Sequence, residues 1–337
     1  MKITWRTAPF LAMCLTAASP GPLDAQRAAP SAPPRTADNH PDLQGIWSFA
    51  TLTPLERPRE LADKAVLTAE EAAAFERVQL ERQNKDARSG QARADVEGAY
   101  NNFWWDYGSK VIGTRRTSLI VDPPDGRMPA LTPAAQQRTT GPRRPPITER
   151  VVLGAIVDGP EHLGLSERCI LGFSSGPPIL SNAYNNNLQL VQTRDYVVIH
   201  TEMIHEARVV PLNGRPHVPS SMRLWLGDSR GRWEKDTLVV ETTNFTDKSS
   251  FSGNIIARGG STAAMRLVER FTRVDRDTLL YEFTVDDPAT WVRPWTVQLP
   301  MTRSDDPIYE YACHEGNYSM PNMLKGARAA EQAQAPK

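Results

Sequence analysis

The stretch from Tyr196 to Val210 brings His200, Glu202, His205, Glu206 and Arg208 close together in sequence. Read as one strand, alternation puts Tyr196, Val198, His200, Glu202, Ile204, Glu206 and Arg208 on one face. Val197, Ile199, Thr201, Met203, His205, Ala207 and Val209 take the other, which is the apolar face. An imidazole among Ile199, Met203 and Ala207 titrates low and can act as a base. Asp106 or a backbone carbonyl would orient it, with Glu206 and Arg208 in support. The same placement also suits a core histidine satisfied by a carbonyl. The order His200-x-Glu202-x-x-His205 invites a metal, with His314 and Glu315 as remote donors. A strand sends His200 and His205 to opposite faces, and the order differs from the helical H-E-x-x-H. No metal and no cofactor is therefore assigned.

A second group is aromatic. Asn102-Phe103-Trp104-Trp105-Asp106-Tyr107-Gly108 lies in an expected loop. Trp104, Trp105 and Tyr107 offer flat apolar faces with polar tips, suited to a ring-bearing ligand at the mouth of a cavity. The alternative is a plug for the end of a barrel. A third group is Arg223, Trp225, Asp228 and Arg230, with Asp228-Ser229-Arg230-Gly231 read as a turn. The two arginines suit a carboxylate or sulfate on a ligand. They equally suit side-chain to backbone bonds that tie a turn together. Ser229 lacks a G-x-S-x-G elbow, which argues against a hydrolase nucleophile. Glu269 and Glu282, on facing strands, could pair as an acid and a base. The competing expectation is solvent-facing carboxylates partnered by Arg270 or Arg273.

The elements that must position these groups follow from pattern. The chain has 337 residues, 40% hydrophobic and 23% charged, with Lys+Arg and Asp+Glu at 39 each. Zero net charge argues against a nucleic-acid partner. No apolar run reaches the roughly 20 residues that span a bilayer. Lys2, Arg6 and the apolar stretch Pro9–Ala18, followed by Leu23-Asp24-Ala25, read as a signal peptide over 1–25. Lipidation at Cys14 is the alternative. Export removes Cys14 and leaves Cys169 and Cys313, which predicts a disulfide between them. Residues 26–41, rich in Pro and Ala, read as a disordered leader.

One β-rich domain is expected over 42–325, with a tail at 326–337. Thr68 and Glu71 make a capping box that starts a helix over 68–87. Thr132-Pro133 starts a second. Period-two segments predict strands at Leu43–Ala50, Thr117–Val121, Leu188–Gln192, Tyr196–Val210, Met222–Leu226, Arg232–Glu234, Thr237–Thr242, Leu267–Val274, Thr278–Val285 and Trp291–Met301. The fold class is therefore mainly β: an antiparallel meander closing as a barrel or packing as a β-sandwich, with one or two N-terminal helices.

Two short motifs resemble calycins: Gly45-Ile46-Trp47, and Thr193-Arg194-Asp195-Tyr196, in which Arg194 is inserted. The barrel is accordingly expected to be calycin-like. A broader resemblance covers nearly the whole chain after the signal peptide. Gly227-Asp228-Ser229-Arg230-Gly231, Trp233, Asp236-Thr237-Leu238-Val239-Val240, Thr243-Asn244-Phe245, Ile204-His205-Glu206-Ala207-Arg208 and Tyr311-Ala312-Cys313-His314-Glu315-Gly316-Asn317 resemble an uncharacterised family of secreted bacterial proteins. That implies a shared fold and pocket and brings no reaction with it. The expected function is binding of a small apolar or aromatic ligand by an exported protein, periplasmic or extracellular. The alternatives are proton-transfer catalysis in the same pocket and an interaction protein using the charged strand face.

Overall fold

A computed structural model describes residues 32–88, 90, 91, 95, 102–140, 159–163, 165–247 and 262–334. The signal-peptide reading and Cys14 lie outside them. Ten antiparallel strands form one sheet: β1 Gly45–Ser48, β2 Ile120–Asp122, β3 Asn187–Gln192, β4 Tyr196–Thr201, β5 Ala207–Pro211, β6 Asp228–Glu234, β7 Thr237–Thr243, β8 Arg266–Arg273, β9 Thr278–Asp286 and β10 Trp295–Ser304. The order is β5-β4-β3-β1-β10-β9-β8-β7-β6, with β2 pairing β10 beside it.

The second half is a meander written by its sequence. Leu267, Phe271, Leu279, Tyr281, Phe283, Val285, Trp295, Val297, Leu299 and Met301 alternate with less buried neighbours and form the core wall. Period two requires this, because successive side chains leave a strand on opposite faces. The turn at Lys235-Asp236 puts Lys235 at φ 55°. The next hairpin turn is closed by Asp275 Oδ1, which accepts from Asp277 N.

Among the described residues no hydrogen-bonded ladder joins the end strands β5 and β6, so the sheet is not a closed barrel. The two ends still meet through side chains. A methyl group at Gly231 of β6 would lie 2.9 Å from Val210 of β5 and 2.6 Å from Leu212 just beyond it. Any side chain there would have to push Val210 and Leu212 aside.

Three helices are described. The first, α1 (Ala69–Gln83), carries the full Thr68/Glu71 capping box. It ends at Gln83, where Asn84 turns extended, rather than at Ala87. The second, α2, spans Pro133–Thr140. The third, α3 (Ser319–Gln334), covers much of what the sequence suggested as a tail. Cys169 and Cys313 are bonded. In the described part of the leader, Arg35 pairs with Asp236 and Arg35 bridges to Pro41. No helix among the described residues is long and apolar enough to cross a membrane.

Four expectations need correction. Tyr196–Val210 is a hairpin and not one strand: Glu202 to Glu206 form the turn, with Ile204 at φ 60°. The turn resets the alternation, so beyond it Arg208 and Val210 are buried while Ala207 and Val209 face out. The supposed turn Asp228–Gly231 is the first half of β6, and Met222–Leu226 is loop, with a single bridge from Leu224 to Phe245. Finally, Glu269 is fully buried, opposite Phe283 in register, so it cannot pair with Glu282. Glu282 lies on the other face and accepts from Gln298.

Candidate functional site

A cleft of about 300 Å³ lies where four pieces of chain converge. Thr51 to Leu55, which extend the chain beyond β1, form its floor together with Leu119. Helix α1 contributes Gln79 and Gln83, the aromatic loop Tyr107, and the segment before β3 Phe173, Leu180, Ser181 and Asn182. Gln79 and Gln83 are one helical turn apart, so both amides leave the same face of α1. Neither makes a side-chain hydrogen bond among the described residues. Among the described residues no Asp, Glu, Lys, Arg or His lines the cleft.

Local hydrogen bonds explain why irregular chain holds this shape. Ser181 Oγ accepts from Thr51 N at 3.2 Å. Thr53 Oγ1 accepts from Ile112 N at 2.9 Å. Asp106 N donates to the Ala183 carbonyl at 2.7 Å, and Asn186 Nδ2 donates to the Asp106 carbonyl. The aromatic loop is thereby fastened to the segment before β3. Rings continue the fastening: Trp105 meets Tyr107 edge-on at 5.3 Å, Trp105 meets Tyr184 at 6.4 Å, and Tyr184 meets Phe173 at 4.9 Å. Lys85 Nζ sits 4.4 Å over the Trp105 ring. Burial raises the Tyr107 phenol, which keeps it a neutral donor near neutral pH.

Of the aromatic trio, Tyr107 lines the cleft and Trp105 backs it. Trp104 is 61% exposed and packs edge-on against Phe103. Of the acid–base set, Asp106, Glu206 and Arg208 sit on different elements. The Asp106 carboxylate accepts from Gly108 N. Glu206 ends the turn between β4 and β5, and the Glu206 carbonyl accepts from Thr201 N. The His205 side chain lies outside the described residues. Arg208 points inward, where it forms a two-pronged pair with Glu269 at 2.6 and 2.8 Å. Tyr281 Oη donates to Glu269 at 2.7 Å and accepts from Ile179 N at 3.0 Å. Burial pulls the Arg208 guanidinium down, but the charge and hydrogen bonds of Glu269 outweigh it and hold the group charged. Burial, aided by the charge of Glu269, pushes Tyr281 well up.

Arg223, Trp225, Asp228 and Arg230 do not line the cleft. Arg223 donates to the Ala263 carbonyl, and Arg230 donates to the carbonyls of Pro216 and Ser229. Asp228 lies 2.8 Å from His217 Nδ1 and from Arg230 Nη1, and accepts from Val218 N. These residues tie the loop after β5 to β6. The sequence reading missed His217, and it missed Gln79, Gln83, Phe173 and Leu180. Only the glutamines left a signal, their four-residue spacing on a capped helix.

Among the described residues no group of His, Cys, Asp and Glu could hold a metal ion. Compared with protein-family models, with curated proteins and with solved structures, the chain matches none.

Proposed function

We propose that this is an exported protein that binds a small uncharged ligand in the cleft between α1, the aromatic loop and the segment before β3. The observation that carries the reading is the lining. Leucines and two aromatic rings are interspersed with amides and hydroxyls, and no charged group lines the cleft among the described residues. Such a surface rewards a flat apolar face bearing hydroxyl or carbonyl groups, because a charge there would lose its water without gaining a partner. Gln79 and Gln83 supply adjacent donors and acceptors for those groups. Phenolic, sterol and neutral sugar-like molecules fit this chemistry. The exported setting rests on the signal peptide expected over 1–25 and agrees with the Cys169–Cys313 bond. In this reading the curled sheet is a calycin-like barrel left open along the β5–β6 seam, and the likeness to secreted bacterial proteins extends to that fold.

The experiment is a thermal-shift screen of uncharged phenolics, sterols and neutral sugars, followed by calorimetric titration of any hit. Phe173→Ala and Gln79→Ala each weaken a true ligand about tenfold, the size of one lost packing or hydrogen-bond contribution. A hit whose affinity ignores both substitutions, or preference for charged molecules, overturns the reading.

A further inference from the structure

The segment 165–186 contains no strand, yet it supplies one wall of the cleft. It is anchored at three depths. Near its start, Cys169 is bonded to Cys313 and the Glu167 carbonyl accepts from Asn317 Nδ2 at 2.8 Å. In its middle, Gly172 is packed so tightly that a Cβ would lie 2.1 Å from Met203 Cγ. The deepest anchor is Ile179, whose backbone N–H donates to Tyr281 Oη inside the curled sheet.

We propose that Arg208, Glu269 and Tyr281 are positioning residues for the cleft: they fix Ile179, and through it the wall formed by Leu180, Ser181 and Asn182. The ligand half of this inference rests on the binding reading above; the positioning half does not.

The connections run in one line. Arg208 comes from the end strand β5 and Glu269 from β8, so their pair crosses the interior of the sheet instead of following a ladder. Glu269 takes three donors: both Arg208 nitrogens and Tyr281 Oη. The Tyr281 ring is wedged between Phe271 at 4.9 Å and Phe283 at 5.6 Å, so its hydroxyl cannot follow a drifting backbone. Leu180, the next residue after Ile179, lines the cleft. Adjacent Cα atoms are about 3.8 Å apart along a stiff chain, so displacement at Ile179 is passed on to Leu180 nearly undiminished. A buried ion pair is a poor source of net stability, because desolvation offsets attraction. It is a good source of geometry, since either partner alone would be stranded. Moving β5 away from the seam would strand Glu269 and loosen its hold on Tyr281. The shape of the cleft is thus coupled to closure of the β5–β6 seam, although no atom of the triad touches the cleft.

The test uses Tyr281→Phe and Arg208→Lys, which preserve ring and charge respectively, in the full chain. Hydrogen exchange is read at the amides of Ile179 to Asn182, with the β7–β9 amides as the internal reference. Binding of the uncharged fluorophore N-phenyl-1-naphthylamine is measured in parallel. The expected result is exchange about tenfold faster from Ile179 to Asn182 in Tyr281→Phe, a smaller acceleration in Arg208→Lys, and unchanged β7–β9. Fluorophore affinity falls with the same ranking. Phe173→Ala weakens the fluorophore without accelerating Ile179. Exchange that stays at the wild-type rate in both variants overturns the proposal, as does acceleration spread equally over β7–β9. If wild type fails to bind the fluorophore, the binding reading loses its support while the exchange data still decide the triad.

Discussion

The β7–β10 wall and the segment 165–186 meet at Tyr281, and they are held by opposite means. The wall repeats one pattern: its strands pair along their length with their neighbours, and β8, β9 and β10 bury alternate side chains. The segment repeats nothing. Ser174 Oγ donates to the carbonyls of Tyr184 or Asn185, Ser175 Oγ donates to the Gly172 carbonyl, and Asn182 N donates to Asn186 Oδ1. The contrast separates two jobs. A periodic wall spreads its stability over many similar contacts, so it gives a stiff frame. An irregular segment draws its shape from single hydrogen bonds, so it can present a particular set of groups to a ligand.

The sharpest way to break this division is to cut the tether of the irregular half. Cys169→Ser with Cys313→Ser opens a bond spanning 144 residues. In the chain-entropy picture this lowers unfolding free energy by about 5 kcal/mol, read as a shifted denaturant midpoint. A smaller effect distinguishes frame from site. Leu267→Ala in the wall costs about 2–5 kcal/mol of stability, yet fluorophore affinity per folded molecule stays near wild type. Asn186→Ala costs about 1–3 kcal/mol and weakens the fluorophore, because Asn186 joins the aromatic loop to the segment. Equal losses of affinity in the two variants would erase the distinction. The smallest effect lies in alkali. Tyr281 is pushed well above its ordinary 10.0 in the folded protein. Between the unfolded and folded values the unfolded chain binds fewer protons, so stability is whole below about pH 10 and falls as pH rises beyond it. Comparing pH–stability curves checks this: Tyr281→Phe should lose that part of the alkaline decline.

What could be read from the sequence follows the same division. Strands β7 to β9 and the turns at Lys235-Asp236 and Asp275–Asp277 were legible because alternation and turn chemistry agree there. The capping box at Thr68 and Glu71 was legible because it is local. Tyr196–Val210 misled because its turn, Glu202 to Glu206, holds no Gly, Pro, Asn or Asp to mark a break in the strand; nothing in composition announces Ile204 at positive φ. Glu269 was misread for a related reason. A carboxylate in an alternating strand looks solvent-facing unless its partner is known, and Arg208 is 61 positions away. The cleft was half legible. Tyr107 belongs to an aromatic cluster visible in sequence, whereas Phe173 and Leu180 sit in a stretch with no period, placed by contacts with distant chain.

The bond between Cys169 and Cys313 also sets an order of events during synthesis. Cys169 emerges 144 residues before its mate. By the time Cys313 is made, every strand from β3 to β10 has already been synthesised. For that whole interval Cys169 is a thiol without its native partner. The native cross-link therefore cannot form until the whole span from β3 to β10 has been synthesised.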